Sequence, residues 1–211
     1  MLRTKNHIII GLTAALFVAT AAFAADSPDE IKQRMGTGNP VAGKDKSALC
    51  QGCHNEDGNS VETRIPKLAG QYAAYIQKQI NNYKAGTRKD PIMSSMAATV
   101  TGNQDLLDIS AYFASQKQMK GSSVKINEAG RKRFLGDNGC VSCHGANGKG
   151  MAPNNPQFPV IGGQHKHYLI KQLTDFRNRT RTNDSSGMMV MIAGKMSDEE
   201  IEAVADYISG L

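Results

Sequence analysis

Three stretches of the chain repeat apolar residues at helical spacing. Tyr72, Tyr75, Ile76, Ile80 and Tyr83 share one face, and Gly86 stands where a left-handed residue would end that helix. Leu106, Ile109 and Phe113 form a second such face. Ile201, Val204, Ala205 and Ile208 form a third at i, i+3, i+4 and i+7, with Ser197 and Glu200 placed as a capping box ahead of it. No stretch sustains the alternation of a strand. The pattern predicts an all-α fold with long Gly- and Pro-rich connections, which need something to wrap around in a compact domain. A fourth apolar run is of another kind. Residues 8–18 (IIIGLTAALFV) follow Arg3 and Lys5 and precede Ala22-Phe23-Ala24, the order of a secretory signal peptide. Residues 1–24 are therefore expected to direct export and to be cleaved off. An uncleaved anchor is the alternative, at the short limit for a membrane span.

The two halves of the chain repeat each other. Cys50-Gln-Gly-Cys53-His54 returns as Cys140-Val-Ser-Cys143-His144. Pro66-Lys-Leu-Ala-Gly-Gln71 is answered by Pro159-Val-Ile-Gly-Gly-Gln164, and Tyr75 and Gln79 by Tyr168 and Gln172. The charged stretch Arg88-Lys-Asp90 is answered by Arg181-Thr-Asn-Asp184, and a methionine cluster and a last amphipathic segment follow in both. A duplicated unit of about ninety residues predicts two similar domains, 25–117 and 118–211, joined near Gln116 to Ile126, where the sequence is polar and aperiodic. Gly130, with Phe134 one turn later, suits a close crossing of the first and last helices of the second unit. Gly43 is placed for the same part in the first, with Ser47 where the aromatic would be.

Composition narrows the chemistry. The chain of 211 residues has no Trp, 6 Tyr and 6 Phe, too few rings for a thick side-chain core. Lys and Arg number 25 against 19 Asp and Glu, a net charge of +6, and the signal peptide holds two of the positive charges. The remainder is shared evenly by the two halves. A nucleic-acid partner, which selects concentrated positive charge, is excluded on that ground and by export. Arg177, Arg179 and Arg181 read as a solvated helix end or as braces for the methionine loop. Arg131, Lys132 and Arg133 read as the exposed face of the helix that leads to Cys140.

Four cysteines in an exported chain suggest disulfides, but a bridge within Cys-x-x-Cys closes a tiny loop and constrains little. Pairing across the halves leaves the adjacent histidines unexplained. Zinc sites place their two pairs roughly 15–20 residues apart, whereas most of a unit separates Cys53 from Cys140. A redox pair of the thioredoxin kind requires a βαβ context. Cys-x-x-Cys-His is the pattern of c-type haem attachment: each sulfur adds to one vinyl group, and the adjoining His lies under the iron. Two copies in register within a duplication predict two covalently bound haem c groups. Cys50, Cys53, Cys140 and Cys143 would anchor them, with His54 and His144 as proximal iron ligands.

The second axial ligand decides the chemistry, because a Met sulfur closes the iron and raises its potential. Met93 and Met189 stand equally far ahead of Thr101 and Ser197, taken as matched starts of the last helices, and Met188 is a close rival. Met96, Met191 and Met196 read as packing residues. His165 and His167, which lack counterparts in the first half, read as partly exposed surface residues.

With both motifs placed, residues 40–211 resemble the cytochrome c4 family of periplasmic dihaem cytochromes. The resemblance rests on C50QGCH54 with P66KLAGQ71, C140VSCH144 with G162GQH165, Q172LTDFRNRTRTND184 and M188MVMIAGKMSDEEI201. It implies two tandem class I cytochrome c domains related by a pseudo-twofold axis, with haem propionates meeting near the interface. It also implies axial Met93 and Met189, and electron transfer to redox protein partners. Those would be a membrane quinol-oxidising complex as donor and a terminal oxidase as acceptor, which is compatible with peripheral contact with the membrane. An extra residue after Thr101, in Gly102-Asn103-Gln104, departs from the family pattern. An iron held on both sides has no free position for substrate, so the expectation is a periplasmic single-electron carrier and not an enzyme. A haem enzyme, such as a dihaem peroxidase, is the alternative and requires one displaceable ligand.

Overall fold

The structure is a computed structural model and describes residues 26–121, 125–150, 158–184 and 186–211. The expected signal peptide, residues 1–24, lies outside the described residues. The described residues form eleven helices and no strand. The first half holds α1 (Pro28–Met35), α2 (Pro40–Lys46), α3 (Ala48–His54), α4 (Ala73–Lys84), α5 (Pro91–Ala98) and α6 (Asn103–Ser115). The second holds α7 (Glu128–Leu135), α8 (Val141–His144), α9 (Lys166–Arg177), α10 (Met188–Ala193) and α11 (Asp198–Ser209). Element for element, α2 to α6 recur as α7 to α11, and α1 is the addition. It is tied down by buried Arg34, whose Nε donates to the Ala114 carbonyl at the end of α6 (2.8 Å).

The three apolar faces fall on α4, α6 and α11. Ile76 and Tyr83 are buried on α4, Leu106, Ile109 and Phe113 on α6, and Ile201, Val204, Ala205 and Ile208 on α11. Gly86 has φ +68°, as its position after α4 requires. The capping box of α11 is complete: Ser197 Oγ accepts from the Glu200 amide (3.2 Å) and Glu200 accepts from the Ser197 amide (3.0 Å). Thr101, expected to start the matching helix, does not. α6 begins at Asn103 after Gly102, with no side-chain cap. The extra residue of the first half is absorbed there, downstream of the methionines. Ala97 and Val100 still pair with Ala193 and Met196 in the register that pairs Met93 with Met189, and all four are buried.

Each half is built on a close helix crossing. A Cβ on Gly130 of α7 would lie 1.9 Å from the Ala203 carbonyl oxygen of α11, and one on Gly43 of α2 would lie 2.0 Å from the Asp108 carbonyl oxygen of α6. Phe134 is fully buried beside the first crossing, and Ser47 beside the second. Asp108 also latches α2 to α6. Its carboxylate accepts from Lys46 Nζ (2.6 Å), the Asn39 amide (2.8 Å) and Gln104 (2.8 Å), and these bonds hold it down at about 2.

The halves meet through contacts that exchange when the halves are exchanged, which is the mark of a pseudo-twofold axis. Gln71 bonds the backbone of Val160, and Gln164 the backbone of Lys67. The joint between the halves is part of this interface. Gln118 and Met119 are buried, and Met119 packs with Tyr72 and Val160. Gly70, at φ +65°, lies against Gln118, and Gly163, at φ +80°, against Lys120 and Gly121, so neither position has room for a side chain.

Candidate functional site

Each Cys-x-x-Cys-His segment is a short helix that stops at its histidine. α3 ends at His54 and α8 at His144, and the next residues, Asn55 and Gly145, adopt φ +64° and +74°. The chain therefore turns back at once. Further on, the Gly58 carbonyl accepts from the amides of Leu68 (2.7 Å) and Ala69 (3.1 Å), and the Gly148 carbonyl from those of Ile161 (2.7 Å) and Gly162 (2.9 Å). These pins bring Pro66 over His54 and Pro159 over His144. His54 Nδ1 donates to the Pro66 carbonyl at 2.8 Å, and His144 Nδ1 to the Pro159 carbonyl at 2.9 Å. Burial pushes both imidazoles well below their usual range. Each is thus neutral, protonated on Nδ1, and carries its lone pair on Nε2, the form in which histidine binds a metal.

The four cysteines form no disulfide. Burial pushes the thiols of Cys50 and Cys140 up, so neither is a reactive thiolate. All eight residues singled out from the sequence (Cys50, Cys53, His54, Met93, Cys140, Cys143, His144 and Met189) line one continuous cavity of about 1460 Å³ that runs through both halves. Single-ligand pockets are roughly 300–1,000 Å³, so this space suits more than one group.

The methionines sort by place. Met93, Met96, Met188, Met189 and Met196 all line the cavity, Met196 as a buried member of the second-half core, whereas Met191 faces solvent at 60% exposure. Asp90, the N-cap of α5, accepts from the Met93 amide (3.0 Å), and Asp184, three residues ahead of the N-cap Gly187 of α10, accepts from the Met189 amide (2.6 Å), so an aspartate holds the backbone of each methionine. The rival, Met188, has its sulfur 3.9 Å from Cys143 Sγ. His165 is half-buried and His167 exposed, and both reach across to the first half. His165 Nε2 meets Ser60 (2.9 Å to its carbonyl), and His167 Nδ1 meets the Thr63 hydroxyl (2.9 Å).

One part of the site was not read from the sequence. Arg181, read as solvated or as a brace, is buried, and so is Arg88. Arg88 donates to Gln79 (2.7 Å), Gln172 (2.8 Å) and the Tyr168 hydroxyl (2.9 Å). Arg181 donates to Gln172 (2.6 Å), Gln79 (3.3 Å) and the Tyr75 hydroxyl (3.1 Å). Each guanidinium also covers an aromatic ring of its own half, Tyr83 at 4.8 Å and Phe176 at 4.4 Å. Arg177 does act as the brace, donating to the Met196 carbonyl (3.2 Å) and to Asp198 (2.6 Å). The available signal for the buried pair was its recurrence in the duplication, where charge alone suggested surface.

Among the described residues, neither Arg88 nor Arg181 forms an ion pair with a carboxylate. Burial pushes the Tyr75 phenol up, yet the guanidiniums of Arg181 and Arg88 outweigh it and hold the group below its ordinary value. The amide nitrogen of Gln79 is buried there without an acceptor among the described residues. Two buried cations and an unpartnered donor, facing a shared cavity, fit anionic groups. Neutral imidazoles, thiols and thioethers line the rest of that cavity. This donor set fits two haems attached through sulfur, whose carboxylates Arg88, Arg181 and Gln79 would hold.

Comparison with known proteins agrees with that fit. The Cytochrome c family model matches residues 41–117 and again 128–211. A cytochrome c4 of Pseudomonas aeruginosa is 40% identical over 98% of this chain and 99% of its own. A protein of Stutzerimonas stutzeri described as a thiosulfate dehydrogenase electron acceptor is 32% identical over 97% of this chain and 95% of its own. The crystal structure of reduced cytochrome c4 from Pseudomonas stutzeri superimposes with a TM-score of 0.75 at 41% identity, covering 83% of this chain and all of that one. Matched twice by one family model and nearly end to end by such relatives, the chain belongs to the cytochrome c4 family: it is an electron carrier of two cytochrome c domains with two covalently bound haem c groups.

Proposed function

We propose that the protein is a periplasmic single-electron carrier, not an enzyme, and that it passes electrons from a membrane quinol-oxidising complex toward a terminal oxidase. In this reading each unit, 25–117 and 118–211, holds one haem. Cys50 and Cys53, and Cys140 and Cys143, form the thioethers. His54 and His144 are the proximal ligands, and Met93 and Met189 the distal ones. When bound, haem iron supplies one-electron redox chemistry. The chain's own residues hold that chemistry in place. Pro66 and Pro159 keep each imidazole in one tautomer and one orientation. Asp90 and Asp184 hold the backbone amides of Met93 and Met189. Arg88 and Arg181 compensate carboxylates at the interface and keep the two units together.

The observation that carries this reading is the matched pair of methionines, each with its amide held by an aspartate and each followed by a fully buried alanine (Ala97 and Ala193). An enzyme acting on a small substrate requires one open iron, and a matched distal ligand in both units argues against it. A dehydrogenase as donor is favoured by the relative described as a thiosulfate dehydrogenase electron acceptor. Reduction of the purified protein by quinol-charged membranes, set beside reduction by such a dehydrogenase, separates the two donors.

The test of the ligands is spectroscopic. Met93→Ala and Met189→Ala are each expected to lose the Met–iron charge-transfer band of one haem, to lower that haem's potential and to admit carbon monoxide or cyanide. Met188→Ala is expected to keep both bands. Loss of the band in Met188→Ala with retention in Met189→Ala moves the ligand by one residue. Rapid cyanide binding or peroxide turnover by the unaltered protein ends the carrier reading.

The arginines give a further expectation. Removing a buried positive charge stabilises the more positive, oxidised iron, so Arg88→Leu is expected to lower a haem potential. Loss of its hydrogen bonds should also cost about 2–3 kcal/mol of stability. Redox titration and thermal unfolding of the variant check both, and an unchanged potential refutes the carboxylate role.

A further inference from the structure

The two proximal histidines are not held by their own units alone. The Pro66–Lys67 peptide accepts His54 Nδ1–H at its carbonyl (2.8 Å), and the same peptide donates its N–H to Gln164 Oε1 of the other unit (2.9 Å). The Pro159–Val160 peptide accepts His144 Nδ1–H (2.9 Å) and donates its N–H to Gln71 Oε1 (2.9 Å). Each glutamine closes a second bond with its Nε2, Gln164 to the Lys67 carbonyl (2.9 Å) and Gln71 to the Val160 carbonyl (2.8 Å). Each Oε1 also accepts from the next amide of its own chain, His165 (3.0 Å) and Tyr72 (3.1 Å). With donors on one end and an acceptor on the other, the amide has a single orientation. Both glutamines are buried, at 4% and 5% exposure, so water does not compete for these bonds.

We propose that Gln71 and Gln164 are positioning residues that couple each proximal histidine to the opposite unit, Gln164 setting the redox balance at His54 and Gln71 that at His144. The inference rests on the proposed role of His54 and His144 as iron ligands. The physical chain is short. A peptide whose N–H is donated to an oxygen carries more negative charge on its own carbonyl. That carbonyl draws harder on Nδ1–H, the imidazole becomes more basic at Nε2, and a more basic ligand favours the oxidised iron. The bond from the opposite unit therefore lowers the potential of the haem it reaches. Gln71 and Gln164 occupy matched positions in the duplication, so the coupling runs in both directions across the pseudo-twofold axis.

The test is crossed. In the full holoprotein, Gln164→Leu is expected to raise the midpoint potential of the haem on Cys50 and Cys53 and to leave the other in place. Gln71→Leu is expected to raise that of the haem on Cys140 and Cys143 alone. Redox titration followed haem by haem through the NMR signals of the haem methyl groups reads this directly. Equal shifts at both haems indicate a merely loosened interface and overturn the proposal, as do unmoved potentials. The unaltered protein supplies a measurement that needs no variant. Exchange of the Lys67 and Val160 amides with solvent is expected to slow on oxidation, and equal rates in the two states count against the coupling. His54→Ala tests the underlying ligand role. If its first haem keeps a six-coordinate low-spin spectrum, the ligand reading fails and the coupling with it. If that spectrum is lost while Gln164→Leu leaves the potential unmoved, the coupling alone fails.

Discussion

A chain in which Cys50, Cys53, Cys140 and Cys143 are replaced by serine, and which therefore attaches no haem, is expected to show no cooperative unfolding transition. The reason is the space the fold encloses. About 1460 Å³ of cavity runs through both halves, lined by Ile76, Leu106, Ile109, Leu169, Val204 and Ile208 among others. Those apolar side chains face open space unless a bound group fills it, and an ordinary domain is stable by only about 5–15 kcal/mol, too little to sustain so large an unfilled core. The buried side chains do not make up the difference. The core of the first half has six buried members and that of the second seven, and both end at the cavity wall. Far-ultraviolet circular dichroism against temperature is the check. Residual, gradually melting helix agrees with the expectation, whereas a sigmoidal transition with a calorimetric heat peak shows that side chains alone hold the fold.

Gly130→Ala is expected to be the most damaging single-methyl change in the second unit, and Gly43→Ala in the first. The added carbon would stand 1.9 Å from the Ala203 carbonyl oxygen in one case and 2.0 Å from the Asp108 carbonyl oxygen in the other. These obstacles are backbone of the facing helix, so relief requires the helices to part. Parting α7 from α11 loosens Phe134 and Tyr207, whose rings are 5.4 Å apart. Parting α2 from α6 disturbs the Asp108 latch as well. Overpacking of this kind costs about 3 kcal/mol, which lowers the melting temperature of a unit of this size by about 12–24 °C. Gly52→Ala is the control of opposite sign. Gly52 lies inside α3 with nothing within 4 Å of its missing Cβ, so alanine is expected to raise stability by about 0.5–1 kcal/mol. Melting curves of the three holoproteins decide the matter. A Gly130→Ala protein that melts with the unaltered one would mean that the crossing is not close-packed in solution.

Most of the local architecture was legible before any coordinates. The periods at Ile76, Leu106 and Ile201 mark α4, α6 and α11 because a helix packed on one side must repeat its apolar residues, and this constraint is written in neighbouring positions. The same holds for the capping box at Ser197 and for the glycine at the α7–α11 crossing. Where local rules were stretched, they slipped. Thr101 looked like a helix start, yet one extra residue moved α6 to Asn103. That extra residue lies after Val100, between α5 and α6, so it leaves the register of Met93 and Met189 unchanged.

The sequence by itself determined the kind of chemistry. Spacing within each Cys-x-x-Cys-His segment is a local matter, its repetition in register marks two sites, and no remote residue alters either reading. The tertiary structure alone decided how the two sites join. Arg88 and Arg181 carry full charges and look like surface residues until the halves close over them. Gln71 and Gln164 find their cross-unit partners, and Met119 its packing, once the halves close on each other. Burial and pairing at that interface depend on residues far apart in the chain, and the pattern of near neighbours carries no record of such distant meetings.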